Sequence, residues 1–223
     1  MKVYTVEDLK SFNVDESGYL ICPEGDYTQI QKFDDRCHFD NFCRFSNWTS
    51  FNDNCSFGKG CNFGKWCSFN KPCSFDILCE FGNNSTFSDG CSFGNHCAFD
   101  NYCHFGRSCS FGKICSFGQE CNLENNHKFE GIEDIVTRVL RIDFNGSWKD
   151  YMYFFKTSSE IYVRCGHFFG NIVEFESKVK ETYKENKEYI KENLEMIKKN
   201  KQYLKEYLET IKYIKAIFQE EEE

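Results

Sequence analysis

Phenylalanine recurs every sixth residue from Phe33 to Phe129, and this period constrains the fold more than any other feature of the chain. Of the 17 positions in that phase, 16 are Phe and one is Leu123. Two residues before each lies a second register, in which 13 of the 15 positions from 37 to 121 are Cys and the others are Thr49 and Ser85. A fixed period sustained over so long a stretch predicts a repeat architecture, in which each unit packs on its neighbours.

The residue types predict that each hexad is a short β-strand followed by a corner. Cys and Phe stand two residues apart, so in a strand their side chains point to the same face, while the polar or small residue between them points away. The Gly, Asn, Asp or Ser that follows most of the Phe residues tolerates a tight turn. A continuous α-helix is disfavoured, because a period of six drifts around a helix of about 3.6 residues per turn.

The 15 cysteines raise the question of disulfides or metal. Thirteen of them share one inward phase beside Phe, where a free Cys behaves as a small hydrophobic residue. The chain has no Cys-x-x-Cys pair of the kind that binds zinc. Side chains in register on parallel strands also stand farther apart than a relaxed disulfide prefers. We therefore predict that these thiols pack in the core, with no metal and no cofactor.

The hexad Phe-Gly-x-x-Cys-x resembles the hexapeptide repeat of left-handed parallel β-helices. Phe stands in place of the usual aliphatic residue and Cys in place of the small one. The resemblance covers about 95 residues without an insertion. It implies three hexads per turn, stacking of residues 18 positions apart, and a left-handed parallel β-helix of roughly five turns with a Phe/Cys core.

Four segments are expected in a mainly β fold with an α+β C-terminal part. They are an N-terminal cap over 1–30, the β-helix over 31–130, an antiparallel β meander over 131–170 and a helical tail over 171–223. In the cap, Thr5 and Asp8 predict a short helix as far as Phe12. Ile21 and Tyr27 share the phase of the Phe residues, so the first turn is expected to begin there. In the meander, the Asn-Gly pair at 145–146 predicts a hairpin turn.

The tail has the pattern of an amphipathic helix that begins at an N-cap, Asn171. Residues 186–199 are repeated, with changes, in 200–213. Two arrangements remain open: an oligomeric coiled coil, or short helices that fold back after breaks at 185–186 and 199–200. We favour the second. The heptad seam consists of Tyr183, Ile190, Leu194, Ile197, Leu204, Leu208 and Ile211.

The corners carry the most informative surface residues of the repeat. The residue before each inward Cys, Thr or Ser defines three columns, which we name the first, second and third corners. The first contains Arg36, Asn54, Pro72, Gly90 and Ser108. The second contains Phe42, Gly60, Leu78, His96 and Ile114. The third contains Trp48, Trp66, Asn84, Tyr102 and Glu120.

Exposed apolar columns usually mark an interface. The second and third corners therefore supply the candidate partner-binding residues, which are Trp48, Trp66, Tyr102, Phe42, Leu78, His96 and Ile114. Two alternatives stay open beside a foreign protein partner. The chain's own C-terminal region covers these columns, or a second subunit does, so that the corners or the helical tail build a homo-oligomer.

Charge narrows the classes of partner. The net charge is −8, from 27 basic and 35 acidic residues. This excess of acidic groups disfavours direct binding of nucleic acid or of an anionic membrane. We find no signal peptide and no apolar run of membrane-spanning length, so a cytoplasmic location is expected.

A narrower resemblance bears on function. Cys-Ser-Phe-Gly hexads, followed by the segment Ile-Tyr-Val-Arg-Cys-Gly-His-Phe-Phe-Gly and a charged helix, are similar to proteins of phages and mobile elements in AT-rich bacteria. The similarity implies a non-catalytic accessory protein that binds and inhibits a host defence nuclease complex in the host cytosol, as anti-CRISPR proteins do.

The alternative is an enzyme. Many left-handed β-helix proteins are acyl-CoA-dependent acyltransferases, which use a His base near a subunit boundary and a loop that interrupts the repeat. This chain offers His96 and His104, but no loop insertion occurs anywhere between 37 and 126. We therefore expect a binding protein with no catalytic residue.

Overall fold

The computed structural model describes residues 1–124, 126–143, 151–182 and 194–219. The chain divides into two compact units, Met1–Arg138 and Val139–Glu223. The first unit contains the hexads, and the second contains most of a small sheet and two helices. Among the described residues, no helix combines the length and the apolar character that crossing a bilayer requires.

The hexads form a parallel β-solenoid. Over the described residues, eighteen short strands lie in three parallel sheets, so three strands per turn make six turns, one more than expected. Residues 18 positions apart pair across neighbouring turns, as Ser74 does with Ser92 and Ser92 with Ser110. The parallel β-helix is thus confirmed, while its left-handedness stays a prediction from the resemblance.

Each sheet is one face of the solenoid. The first face consists of Leu20–Cys22, Cys37–Phe39, Ser56–Phe57, Ser74–Phe75, Ser92–Phe93, Ser110–Phe111 and Lys128–Phe129. The second consists of Arg44–Phe45, Asn62–Phe63, Glu80–Phe81, Ala98–Phe99 and Ser116–Phe117. The third consists of Lys32–Phe33, Ser50–Phe51, Ser68–Phe69, Thr86–Phe87, His104–Phe105 and Asn122–Leu123.

Phenyl rings fill the interior in three stacks, as the period predicted. Phe69 stacks on Phe87 of the next turn with ring centroids 4.9 Å apart and planes 3° from parallel. It meets Phe75 of the following face edge-on, at 4.9 Å and 90°. Both are favoured aromatic geometries, so one residue type at one spacing satisfies the contacts within each stack and those between stacks.

The second register supplies a hydrogen-bond donor beside each ring. The Cys79 thiol donates to the carbonyl of Gly58 in the preceding turn at 3.4 Å. Thr49 and Ser85 donate their hydroxyls to carbonyls of their own corners at 2.9 and 2.8 Å. The register therefore requires a small side chain with a hydrogen-bond donor, which Cys, Thr and Ser all provide.

The thiols of this register are free, and nearly all of them are buried. All 15 cysteines are free, and of the 13 in the register only Cys121 is not fully buried. Burial raises the pKa of Cys67 to about 11, so this thiol stays protonated at neutral pH. Over the described ranges, no group of three or more His, Cys, Asp or Glu side chains is placed to hold a metal ion.

The N-terminal segment caps the open end of the solenoid. Thr5 and Asp8 form the predicted capping box, but the helix spans only Val6–Leu9 and stops before Phe12. Tyr4 stacks on Tyr27 with ring centroids 5.0 Å apart. The cap thus continues the aromatic stack and covers the last ring, which would otherwise meet water.

The first turn corrects the predicted phase of Ile21. The strand Leu20–Cys22 pairs with Cys37–Phe39, which places Cys22 opposite Phe39. Cys22 is fully buried, and Ile21 is 37% exposed. The connection from Cys22 to Tyr27 is one residue shorter than a hexad, so the inward position moves by one. The predicted inward position of Tyr27 is confirmed, because this side chain is fully buried.

At the other end, His127 takes the place of a Cys. Its backbone pairs with Val136, and its ring centroid lies 5.8 Å from that of Phe111. The side chain is 1% exposed, and neither ring nitrogen has a hydrogen-bond partner within the described part of the chain. Burial lowers the pKa of His127 below its ordinary value of 6.5.

We expect the first unit to lose stability as pH falls below about 6.5. The unfolded chain then binds a proton that folded His127 excludes, so the stabilisation is complete above pH 6.5 and declines toward the lower folded pKa. Thermal unfolding between about pH 7.5 and pH 5 measures this slope. His127→Cys should flatten it, and His96→Asn should not. Equal slopes for the wild type and His127→Cys would contradict the assignment.

Among the described residues, four further strands lie in chain order in one sheet, most of which belongs to the second unit. They are Val136–Asp143, Tyr151–Thr157, Ile161–Cys165 and Phe168–Asn171. The last three pair antiparallel. The first three correspond to the predicted meander, and the fourth was missed because a four-residue segment shows no clear alternation. The predicted turn at 145–146 lies outside the described residues.

The described part of this unit also contains two helices, Ile172–Thr182 and Leu194–Gln219. The predicted N-cap is confirmed, because the Asn171 side chain accepts hydrogen bonds from the backbone N–H groups of Val173 and Glu174. Sheet and helices share one core, which consists of Met152, Phe154, Val163, Ile172, Phe175, Val179, Tyr207, Ile211, Ile214 and Phe218.

The helical segments fold back on each other. Phe175 and Tyr207 meet edge-on with ring centroids 6.0 Å apart, whereas one straight helix would separate these residues by about 48 Å. The predicted break at 199–200 is wrong, since Leu194–Gln219 runs through it; the break at 185–186 lies outside the described residues. The seam residues Leu204, Leu208 and Ile211 pack into this unit's own core.

Candidate partner-binding surface

The corner residues adopt a backbone conformation that side chains normally avoid. On the second and third corners φ lies between 53° and 68°, in the left-handed region. Gly and Asn adopt this region at low cost, whereas it strains bulky or β-branched residues. Gly60 and Asn84 follow that preference. Six large apolar residues do not, and these are Phe42, Trp48, Trp66, Leu78, Tyr102 and Ile114.

These six side chains are also exposed. Their exposed fractions run from 44% at Leu78 to 62% at Trp48. His96, the seventh candidate, is exposed on the second corner. Among the five residues of the first corner there is no large apolar side chain, and Pro72 avoids the left-handed region there because its ring fixes φ. Among these described corner residues, the exposed large apolar side chains thus lie on two of the three corners.

The fold brings both apolar columns to one face. Each strand of the second face lies between a residue of the second corner and one of the third, as Arg44–Phe45 lies between Phe42 and Trp48. Sequence alone sorted the candidates into columns. The three-sided turn places all seven of them along the two edges of the second face.

Between these edges the outward residues of the second face are mostly polar. Its outward residues, in order along the sheet, are Arg44, Asn62, Glu80, Ala98 and Ser116. The amide of Asn62 donates to the carboxylate of Glu80 at 2.9 Å. One Arg and one Glu cancel in charge, so the face has a nearly neutral centre and two apolar edges.

Ring packing pre-orders the edges. The indoles of Trp48 and Trp66 stack with centroids 4.9 Å apart and planes 3° from parallel. A Cβ at Gly60 would lie 2.8 Å from the Phe42 ring, so that ring lies directly over the glycine. Side chains held in place before binding lose less conformational entropy when a partner arrives.

Asparagines secure the turns that present these side chains. Asn47 accepts a hydrogen bond from the backbone N–H of Lys65 in the next turn at 2.8 Å, and Asn101 accepts one from Gln119 at 2.7 Å. Each acceptor precedes a corner residue, Trp48 or Tyr102, by one position. The sequence shows asparagines here, but their pairing across turns requires the 18-residue register.

The two histidines of the enzyme alternative lie apart from each other. His96 is an exposed corner residue with φ of 58°. His104 points outward from the third face, and its Nε2 lies 3.3 Å from a carboxylate oxygen of Glu124. Arg107 approaches the same carboxylate at 3.3 Å. His104 therefore belongs to a surface charge cluster on the side away from the second corner.

An open groove of about 420 Å³ on the first face was not predicted from the sequence. The N-terminal loop at Asp15 and Tyr19 forms one wall, and His38 and Ser56 lie on its floor. His38 Nδ1 and the Ser56 hydroxyl are 2.7 Å apart. The groove exists only because the cap folds over the solenoid, so no local sequence signal could have indicated it.

Comparison of the chain with protein-family models finds no matching family. Comparison with curated proteins and with solved structures likewise finds no match. The functional assignment must therefore come from the residues and geometry described above.

Proposed function

We propose that this chain is a non-catalytic binding protein that docks a protein partner on its second face and on the two corners beside it. The observation that carries the proposal is the placement of six large apolar side chains at exposed, left-handed corners. Gly or Asn at each corner would relieve backbone strain and remove apolar surface from water. Folding stability alone therefore favours other residues, and selection for binding accounts for these.

The chemistry of the surface fits protein recognition. Trp and Tyr anchor interfaces more often than other residues, because they bury a large area with few rotatable bonds. Trp48, Trp66 and Tyr102 supply these anchors. The polar centre at Asn62 and Glu80 can exchange hydrogen bonds with a partner.

More specifically, we propose that the chain is an accessory protein of a phage or mobile element and that it inhibits a host defence nuclease in the host cytoplasm. Its support is the similarity of the Cys-Ser-Phe-Gly hexads and the segment after them to such proteins. A rigid solenoid with a pre-ordered aromatic edge suits an inhibitor, since little entropy is lost on binding.

The double variant Trp48→Asn with Trp66→Asn tests the binding surface. Asn suits the left-handed backbone at both positions, where φ is 63°, so the fold should persist. Loss of two aromatic anchors should weaken partner binding at least about 100-fold. Immobilised chain is exposed to lysate of a host with an active defence nuclease, and retained proteins are quantified by mass spectrometry. A plaque assay in that host measures inhibition.

Arg36→Asn is the matched control, since it changes a left-handed residue on the first corner. The expected result is a protein that the wild type and the control retain and the double variant loses, with nuclease inhibition lost in parallel. Equal retention by all three chains would overturn the proposal. Light scattering adds a separate readout, because a double variant that changes from oligomer to monomer would identify the corners as a self-interface instead.

A further inference from the structure

The spacing of aromatic residues on the third corner matches a particular ligand conformation. Trp66 and Tyr102 are two turns apart, or about 9.6 Å at the usual separation of β-strands. A polyproline II helix completes one turn of three residues in about 9.3 Å. Prolines three residues apart in such a segment would therefore meet both rings in register.

The rings are free to receive such a segment. Trp48 covers one side of the Trp66 indole. Among the described residues no other aromatic ring stacks on Trp66, and none stacks on Tyr102, which is 57% exposed. Asn84 lies midway between them and is half-buried. Its amide can donate to a ligand carbonyl, and polyproline II backbones leave their carbonyls unpaired.

Charge complementarity adds a second requirement. Asp100 and Glu120 lie within one turn of Tyr102, both are exposed, and neither forms an ion pair within the described ranges. Glu120 lies one turn beyond Tyr102 in the third corner, and Asp100 lies in the same turn as Tyr102, so two negative charges stand near this end of the aromatic column. A ligand that continues past Tyr102 should therefore carry Lys or Arg at that end.

The area of the surface argues against a second copy as occupant. The second face and its two corners measure roughly 20 Å by 20 Å, or about 400 Å². Stable association of folded proteins buries about 800 Å² on each partner. An extended segment needs less surface, because it presents most of its contacts to a single ridge.

We propose that the third corner binds a proline-rich segment in the polyproline II conformation, with prolines on Trp66 and Tyr102 and a basic residue beside Glu120. This inference rests on the proposed function and names the part of the partner that would be recognised. The ligand backbone would run along the solenoid axis, past Asn84.

An unbiased peptide selection tests the inference. The probe is a display library of random peptides of about twelve residues. A polyproline II segment needs roughly six residues to run from Trp48 to Glu120, so each peptide is about twice as long as the corner requires. The library is selected on the immobilised full chain. We expect enrichment of Pro-x-x-Pro followed by Lys or Arg. The consensus peptide, labelled with fluorescein, is then titrated by anisotropy, and alanine at both prolines should weaken binding at least about tenfold.

Variants of the protein test this inference separately from the proposed function. Trp66→Asn and Tyr102→Asn should each weaken the consensus peptide about tenfold. Glu120→Gln should reduce the preference for a basic residue. Arg36→Asn, at a left-handed residue of the first corner outside the binding surface, should leave binding of the peptide unchanged. Enriched peptides without paired prolines that still require Trp66 would overturn this inference and leave the proposed function standing. If the enriched peptides bind Trp66→Asn and Leu78→Asn as tightly as the wild type, the result counts against both this inference and the proposed function. A selection that enriches no peptide would overturn this inference alone.

Discussion

Replacing Phe69 with Ala is expected to lower the free energy of unfolding by about 3–5 kcal/mol. The ring is 1% exposed and lies in the middle of the solenoid. It stacks on Phe51 and Phe87 at 4.9 Å and meets the edges of rings on the other two faces. Neighbours on both sides are held by strand pairing, so they cannot collapse into the space that the ring leaves.

Equilibrium denaturation with urea measures this loss, and hydrogen exchange over 50–87 locates it. Phe169→Ala is the control, because that ring is 45% exposed in the second unit and its removal should cost less than about 1 kcal/mol. A loss below about 1 kcal/mol for Phe69→Ala would show that the stacks tolerate a gap. Close packing of the stacked rings would then not explain why Phe repeats.

Ile214→Asp is expected to destabilise the second unit by about 4 kcal/mol or more. Ile214 is fully buried in the core that the sheet and both helices share. The change removes apolar burial and places a carboxyl group where the described core offers apolar neighbours, such as Phe175 and Ile211. The carboxyl must either stay charged without a partner or take up a proton, and both cost free energy.

Tyr213→Asp provides the matched control on the same helix. Tyr213 is 59% exposed, so the same new residue one position earlier should change stability by no more than about 0.5 kcal/mol. Hydrogen exchange of peptides from 151–182 and 203–218 reports on this core directly. Equal protection in the two variants would show that the helix Leu194–Gln219 does not pack as described.

Much of the first unit could be predicted because its signal is redundant. Each hexad repeats the same pattern of inward Cys and Phe, so an exception such as Leu123 or Thr49 does not change the period. The corners followed from the period, since sorting residues by 18 already separated the polar first corner from the two apolar ones. The prediction of inward positions failed where a segment occurs only once and does not repeat. The short connection after Cys22 shifted the inward position, and a single hexad offered no pattern to show it.

The second unit was harder to predict because its core joins distant segments. The heptad seam correctly included Ile211, but the pattern alone suited a partner helix as well as a sheet. Phe175 and Tyr207 meet only because the chain reverses between them. The short strand Phe168–Asn171 exists because it pairs with Ile161–Cys165. Its two Phe residues favour a strand, whereas Gly170 and Asn171 do not, so the segment by itself gives no clear strand signal.

For the candidate site, the chain's own order of residues determined which side chains stand at corners and that two of the three columns are apolar. Periodicity alone is enough for this, because a side chain's direction in a repeat depends only on its phase. Tertiary structure decided that Trp66 and Leu78 border the same face, that their backbone is left-handed, and that Trp48 stacks on Trp66. Those facts depend on the closing of each turn and on contacts between residues 18 apart, and linear order does not contain such distances.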